Sequence, residues 1–203
     1  MLPIIIATSN RHKFAELKAL LTMPGIGWRS LAEFPGLPPV RETGRTFEAN
    51  AIKKARHVAR WTGCFALADD SGLEVDVLGG LPGVRSARFA GRHGDDQANN
   101  AILLRHLAPI PLRERRARYY CVLALVSPKG WVGTTWGLWE GRIALKPSGH
   151  RGFGYDPLFL VPRFGKTVGQ LPHRVKQRLS HRAKAARELR PLLRRFVTIP
   201  HGV

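Results

Sequence analysis

Apolar positions along the chain switch repeatedly between strand and helix spacing. Residues 3–7 form a short β-branched run that predicts a buried strand, closed by the polar tripeptide Thr8-Ser9-Asn10. Over residues 11–21, Phe14, Leu17, Leu20 and Leu21 recur at helical spacing, with Ser9 or Asn10 placed to cap the helix. Residues 24–39 read as a Pro/Gly-rich connection with room for one short strand. A second helix is predicted over 46–62, its inward stripe made of Phe47, Ala51, Ala55, Val58 and Ala59. The apolar run 64–68 then meets Asp69-Asp70-Ser71-Gly72 and is expected to stop there. A new strand follows at once, with Leu73, Val75 and Val77 on one face and Glu74 and Asp76 on the other.

The second half continues the alternation. A glycine-rich loop (79–94) leads into a helix capped by Asp95 or Asp96 and running to Leu107. Residues 117–126 are all but continuous in apolar side chains, as in a strand buried on both faces. Residues 131–143 predict a strand pair broken by Gly133, Gly137 and Gly141. A glycine-punctuated loop (147–157), a strand (158–161) and a basic helix (180–196) complete the chain. Ala186, Leu189, Leu193 and Phe196 keep helical spacing in that last helix, and Pro191 should kink it. Strands and helices interleave without a strict βαβ rhythm, so the fold class is α/β, a mixed central sheet flanked by helices.

Composition narrows the class. A chain of 203 residues with 44% hydrophobic content buries a real core in one domain, or one domain with two lobes. No run approaches the eighteen or so apolar residues of a membrane span, and Met1-Leu2-Pro3 lacks the charged start of a signal peptide. Cys64 and Cys121 lie singly in apolar segments and read as buried thiols, which predicts a cytoplasmic protein without membrane contact. The charge is uneven: 13 basic and 10 acidic residues fall in 1–100, against 20 and 4 in 101–203, for a net +19. A field of that sign attracts polyanions, whether nucleotides or nucleic acids.

Five segments offer chemistry. Asp69 and Asp70 are paired carboxylates at a tight place, which favour a cation beside them; hard paired oxygens suit Mg²⁺, and Mg²⁺ brings phosphates. Taken alone they also fit an ordinary Asp-Asp-Ser-Gly turn. Thr8, Ser9 and Asn10 stand where a strand meets a helix N-terminus, with Lys13 one turn in; this is either an anion seat or a simple cap. On the second helix Phe47, Asn50 and Lys54 share one face beside the apolar stripe, either as snorkelling side chains or facing a phosphate pocket. In the loop Gly152-Phe153-Gly154-Tyr155-Asp156-Pro157 the rings can stack on a base or belong to a core turn. Lys176, with Ser180-His181-Arg182, supplies donors suited to a purine carbonyl or a phosphate.

These segments occur in one order with Glu42-Thr43-Gly44-x-Thr46-Phe47, Asn50-Ala51-x-x-Lys54-Ala55-Arg56 and Gly79-Gly80-x-Pro82-Gly83-x-x-Ser86-Ala87-Arg88. Together, across roughly residues 3 to 196, the chain resembles the inosine triphosphate pyrophosphatase family, the Ham1/RdgB-like nucleotidases. The resemblance implies a mixed sheet in two lobes with an active-site cleft between them, a homodimer, and one domain spanning residues 1–203. It implies Mg²⁺-dependent hydrolysis of the purine nucleoside triphosphates ITP, dITP and XTP to monophosphate and pyrophosphate. Carried over position by position, the phosphate loop falls on Thr8, Ser9, Asn10 and Lys13, and the helix lysine on Lys54. The catalytic acid falls on Asp70 with Ser71 beside it, and base recognition on Phe153, Gly154, Tyr155, Asp156, Lys176, His181 and Arg182.

Two positions depart from the family pattern. The acid expected before the Glu-Thr-Gly block is Arg41, which leaves Glu42 as the candidate to share the metal with Asp70. The second Glu of the Phe-x-Glu-Asn block is Ala49, with Glu48 beside it. A rival of another class, a nucleic-acid-binding protein using the Arg-rich second half, explains the charge but neither Asp69-Asp70 nor the glycine-aromatic loop. No specific nucleic-acid partner is therefore expected.

Overall fold

Twelve regular elements carry the chain, described in a computed structural model over residues 1–198. The strands are β1 (Leu2–Ile6), β2 (Ile26–Ser30), β3 (Phe65–Val75), β4 (Arg116–Val126), β5 (Val132–Ile143), β6 (Phe159–Val161) and β7 (Lys166–Thr167). The helices are α1 (Arg11–Leu21), α2 (Phe47–Thr62), α3 (Asp96–Leu107), α4 (His173–Leu179) and α5 (His181–Thr198). The strands form one seven-stranded sheet in the order β2-β1-β3-β4-β5-β6-β7. It is mixed, since β1 pairs in parallel with β2 and β3 while β6 pairs antiparallel with β5 and β7. The expected α/β class is therefore the observed one.

Local chemistry sets the helix ends. The Asn10 side chain accepts the Lys13 amide at 3.0 Å and starts α1, and Thr46 does the same for α2 through the Ala49 amide at 3.1 Å. α2 stops at Gly63, whose φ of 66° is the left-handed conformation that glycine adopts without a Cβ penalty. The final helix runs on through Pro191 rather than ending there.

Two expectations change. β3 does not break at the acids: it is one strand from Phe65 to Val75, and Asp69 and Asp70 lie inside it, 1% and 6% exposed. A strand can hold two adjacent buried carboxylates because successive side chains leave on opposite faces, so Asp69 meets Arg182 and Asp70 meets Lys54, with the charge of Lys13 felt by both. β5 is likewise one strand, not a broken pair. Gly141 is glycine for a steric reason instead, since a Cβ there would stand 2.5 Å from the Leu160 carbonyl oxygen.

The chain divides into two compact units. Unit 1 comprises residues 1–70, 121–137 and 182 onward; Ile4, Ile6, Leu17, Leu21, Leu67, Leu123 and Leu189 belong to its fully buried core. Unit 2 comprises residues 71–120 and 138–181, and packs Leu73, Val75, Leu103, Tyr119, Trp139 and Phe159. Among the described residues no helix is long and apolar enough to cross a membrane, and Cys64 and Cys121 form no disulfide.

Candidate active site

In unit 1 the chemistry gathers on α2, β3 and the segment before α2. Lys54, carried in by the apolar stripe of α2, donates to Glu42 Oε1 at 2.9 Å, to Asp70 Oδ1 at 2.7 Å and to the Asp69 carbonyl at 2.7 Å. One ammonium thus satisfies three acceptors from two distant segments. Asn50, one turn earlier, braces the arrangement. Its Oδ1 accepts the Gly44 amide at 2.7 Å and its Nδ2 donates to Asp70 Oδ2 at 3.3 Å. The sequence placed Asn50 on the Lys54 face without giving it a role; its complete burial beside a charged residue is what marks it.

The two aspartates have opposite electrostatics. Burial pushes the Asp70 carboxyl above its ordinary range, and Lys54 and Lys13 draw it back only in part. Burial would also raise Asp69, but the charges of Arg182 and Lys13 outweigh it and hold Asp69 well below the usual carboxylate range. Arg182 Nε donates to Asp69 Oδ2 at 2.9 Å and its Nη1 to Glu16 Oε2 at 2.5 Å, while Lys13 Nζ pairs with Asp69 Oδ1. The Cys121 thiol also donates to Asp69 Oδ2 at 3.1 Å, and burial pushes that thiol up, so it keeps its proton. Glu16 and Cys121 are members of this network that sequence reasoning did not assign, and Asp69, read with Asp70 as a cation-favouring pair, meets Arg182 and Lys13.

The remaining unit 1 candidates lie at the exit of β1. Thr8 Oγ1 accepts the Asn10 amide at 3.2 Å, and Ser9 and Asn10 are exposed. The loop therefore presents polar atoms while Asn10 still caps α1.

In unit 2 a third buried carboxylate organises the glycine-aromatic loop. Asp156 accepts the Phe153 amide at 2.9 Å, Lys176 Nζ at 2.6 Å and the Tyr119 hydroxyl at 3.2 Å. Lys176 also sits 4.3 Å from the centroid of the Phe153 ring, a cation–π geometry. Gly154 is held by its amide on Asp96 Oδ2 (2.6 Å) and by its carbonyl on Asn100 Nδ2 (3.0 Å). Gly152 has φ 79°, and a Cβ there would run into the Asp156 carboxylate. Tyr155 is buried in the unit 2 core with its hydroxyl on the Ser86 carbonyl at 2.9 Å, so its ring anchors the loop. The His181 ring stacks on Tyr119 at 4.7 Å between centroids. Lys176 and His181 belong to unit 2 and Arg182 to unit 1, so the three donors expected together have separate local partners. Ser71, directly after Asp70 on β3, is half-buried.

Three buried carboxylates with matched lysines and a glycine-aromatic loop now stand beside the ordered sequence blocks. The Ham1 family model matches residues 4–192. The chain belongs to the Ham1 family. A relative in Desulforamulus reducens named dITP/XTP pyrophosphatase is 49% identical over 95% of this chain and 96% of its own length. One of the same name in Mycobacteroides abscessus is 46% identical over 97% of each chain. The solved structure of a HAM1 protein from Coxiella burnetii superposes with a TM-score of 0.88 at 41% identity, covering 96% of this chain and 100% of that one.

For a Ham1 family member the departure at Arg41 can now be placed. Arg41 is exposed, while Glu42 is the acid that reaches Lys54. Among the described residues no three of His, Cys, Asp or Glu gather as a metal cage. The donors present nevertheless suit a hard divalent cation. Glu42 and Asp70 converge from two segments on one cationic point, the Lys54 ammonium, and Mg²⁺ characteristically takes one or two protein carboxylates, with water and phosphate completing its shell. Charge agrees: Glu42 and Asp70 stand together on Lys54, and a divalent cation beside them would ease the approach of a triphosphate.

Proposed function

We propose that this chain hydrolyses non-canonical purine nucleoside triphosphates, ITP, dITP and XTP, to the monophosphate and pyrophosphate, with Mg²⁺. The observation that carries the reading is the convergence of Glu42, Asp70 and Lys54, with Asp70 buried and its carboxyl pushed upward. The names of the full-length relatives support the substrate class.

The roles divide between the units. In unit 1, Asp70 takes the proton of the attacking water as the new oxygen–phosphorus bond forms at the α-phosphate. The bond to the bridging oxygen breaks at the same time, and pyrophosphate leaves with that electron pair. A carboxyl raised by burial is a stronger base for this step than an ordinary aspartate. Lys13 and Lys54, already oriented by carboxylates, offset the charge growing on the leaving group, and Thr8, Ser9 and Asn10 offer polar contacts to phosphate oxygens. Glu42 and Asp70 would hold Mg²⁺, which when bound supplies Lewis-acid polarisation of the phosphoryl oxygens. In unit 2, the Phe153 ring takes the base, with Gly154 and Tyr155 shaping its loop. Asp156 fixes Lys176 so that Lys176 and His181 can donate toward a 6-keto oxygen. A 6-amino purine would present a donor to those donors. We extend the reading to a homodimer; Val77 and Leu81, 43% and 49% exposed, offer apolar surface that a second copy would cover. The nucleic-acid reading leaves the Lys54 cluster without a role.

A phosphate-release assay with and without added inorganic pyrophosphatase tests this across a panel of nucleotides. Release is expected only with the coupling enzyme, and ITP, dITP and XTP should exceed ATP in kcat/KM by about 100-fold or more. Release of phosphate without the coupling enzyme, or equal rates on ATP, would sink the reading.

The metal assignment has its own test. Glu42→Gln should raise the Mg²⁺ concentration giving half-maximal rate by about tenfold or more, with matching weakening in a calorimetric Mg²⁺ titration. Arg41→Glu should leave both nearly unchanged, because position 41 is exposed. If Glu42→Gln moves neither quantity, Glu42 is not a ligand.

A further inference from the structure

α2 carries chemistry outside the Lys54 cluster as well. Lys53, Arg56 and Arg60 are exposed on it. They line an open hollow of ≈ 790 Å³ together with Arg41, His57 and Trp61. No carboxylate lines it, and Val40 and Ile52 supply apolar surface. Among the described residues Arg41, Arg56 and Arg60 have neither an ion pair nor a hydrogen bond. Lys53 donates to Thr43 Oγ1 at 2.7 Å, which leaves its charge uncompensated, and His57 Nε2 meets the Pro38 carbonyl at 2.9 Å. Trp61 is 47% exposed and touches Phe34 edge-on, with centroids 6.3 Å apart.

Like charges one helical turn apart, as at Arg56 and Arg60, repel, and nothing beside them relieves it. A bound polyanion would. The hollow adds features that a merely solvated basic face lacks: concavity, an indole and an apolar wall. We infer that it is a nucleotide-binding site separate from Asp70 and Lys54, with phosphates on Arg41, Arg56 and Arg60 and the base against Trp61. Guanidinium groups suit this because each can grip two phosphate oxygens at once. The size favours a small ligand, since such sites run from about 300 to 1,000 Å³. A single-stranded nucleic acid would instead call for successive large rings along a basic track, and this lining offers one indole, Trp61, and one imidazole, His57, whose Nε2 is engaged by the Pro38 carbonyl.

The probe is ATP in EDTA, titrated calorimetrically at about physiological salt, with inorganic triphosphate in parallel. The wild-type protein should bind ATP, and Lys54→Met, which keeps the aliphatic stem, should bind it as well. Arg56→Ala/Arg60→Ala should weaken ATP by at least about tenfold while its turnover of ITP stays within about twofold, which also shows that it folds. Trp61→Leu should weaken ATP but not inorganic triphosphate. Failure of the wild type to bind ATP, or binding that Lys54→Met abolishes and the double arginine variant keeps, overturns the site. Equal weakening of both probes by Trp61→Leu overturns the nucleotide class. A single-stranded oligonucleotide that binds far more tightly than ATP and is lost in the double arginine variant would assign the surface to nucleic acid instead.

Discussion

Replacing Asp70 by Asn is expected to lower turnover by about 10²- to 10⁴-fold, the usual contribution of a positioned general base, and to leave the fold intact. The amide keeps the shape, and its oxygen can still accept from Lys54 Nζ, now 2.7 Å from Oδ1, whereas its nitrogen is a donor and loses the 3.3 Å bond that Asn50 Nδ2 makes to Oδ2. It cannot take a proton from water and brings no negative charge to a divalent cation. Stability should move far less. Because burial raises the Asp70 carboxyl, the fold disfavours its ionised form. That penalty is present above the raised value and absent below the unfolded value of about 3.9. Asn carries no such penalty, but it takes one of two carboxylates away from the buried Lys54 ammonium, whose charged form Asp70 and Glu42 favour, so the melting temperature at pH 7 should stay within a few degrees of the wild type. The wild-type rate should climb as pH rises and Asp70 loses its proton. Turnover and thermal melts on the same preparation check both parts. Near wild-type turnover would remove Asp70 from the mechanism; a collapse in melting temperature would show that its charge is structural.

The ordered blocks made the α/β class legible in the sequence, because each block encodes local geometry: a cap at Asn10, a stripe on α2, a glycine turn before Pro157. Lys54 and Asp70 were legible for the same reason, as residues at fixed spacing within such blocks. What was hidden depends on partners far away in sequence. β3 looked as though it must end at Asp69, since no local feature tells that a guanidinium 113 positions later will neutralise it. Tyr155 looked equally suited to stacking or to a core; its hydroxyl partner, Ser86, lies 69 positions away. Gly141 read as a strand break because the close approach of β6 cannot be seen from a glycine alone. Arg182 was grouped with His181 by adjacency, and its ion pairs with Asp69 and Glu16, both far away in sequence, could not be seen from there.

Arg182→Met should give the largest loss of stability. The Met side chain fills much of the same space but takes the guanidinium away from two carboxylates at once, Asp69, 1% exposed, and Glu16. Breaking a buried pair by removing one member costs about 3–5 kcal/mol, because the surviving charge stays out of water. For a chain of this size that is a fall in melting temperature on the order of 10 °C. The pH dependence gives a second signature. Asp69 is held low in the folded state, so its stabilisation is complete above the unfolded value of about 3.9 and is lost as pH falls toward its depressed value. Without Arg182 the main cause of that depression is gone, so the variant should be much weaker at pH 7 yet lose less on acidification. Arg182→Lys should recover part of the loss, restoring charge without the planar fork that serves Asp69 and Glu16 together. Urea unfolding of the three proteins at pH 7 and pH 3 separates these outcomes. If Arg182→Met melts within about 2 °C of the wild type, the pair is not what holds Asp69 inside β3.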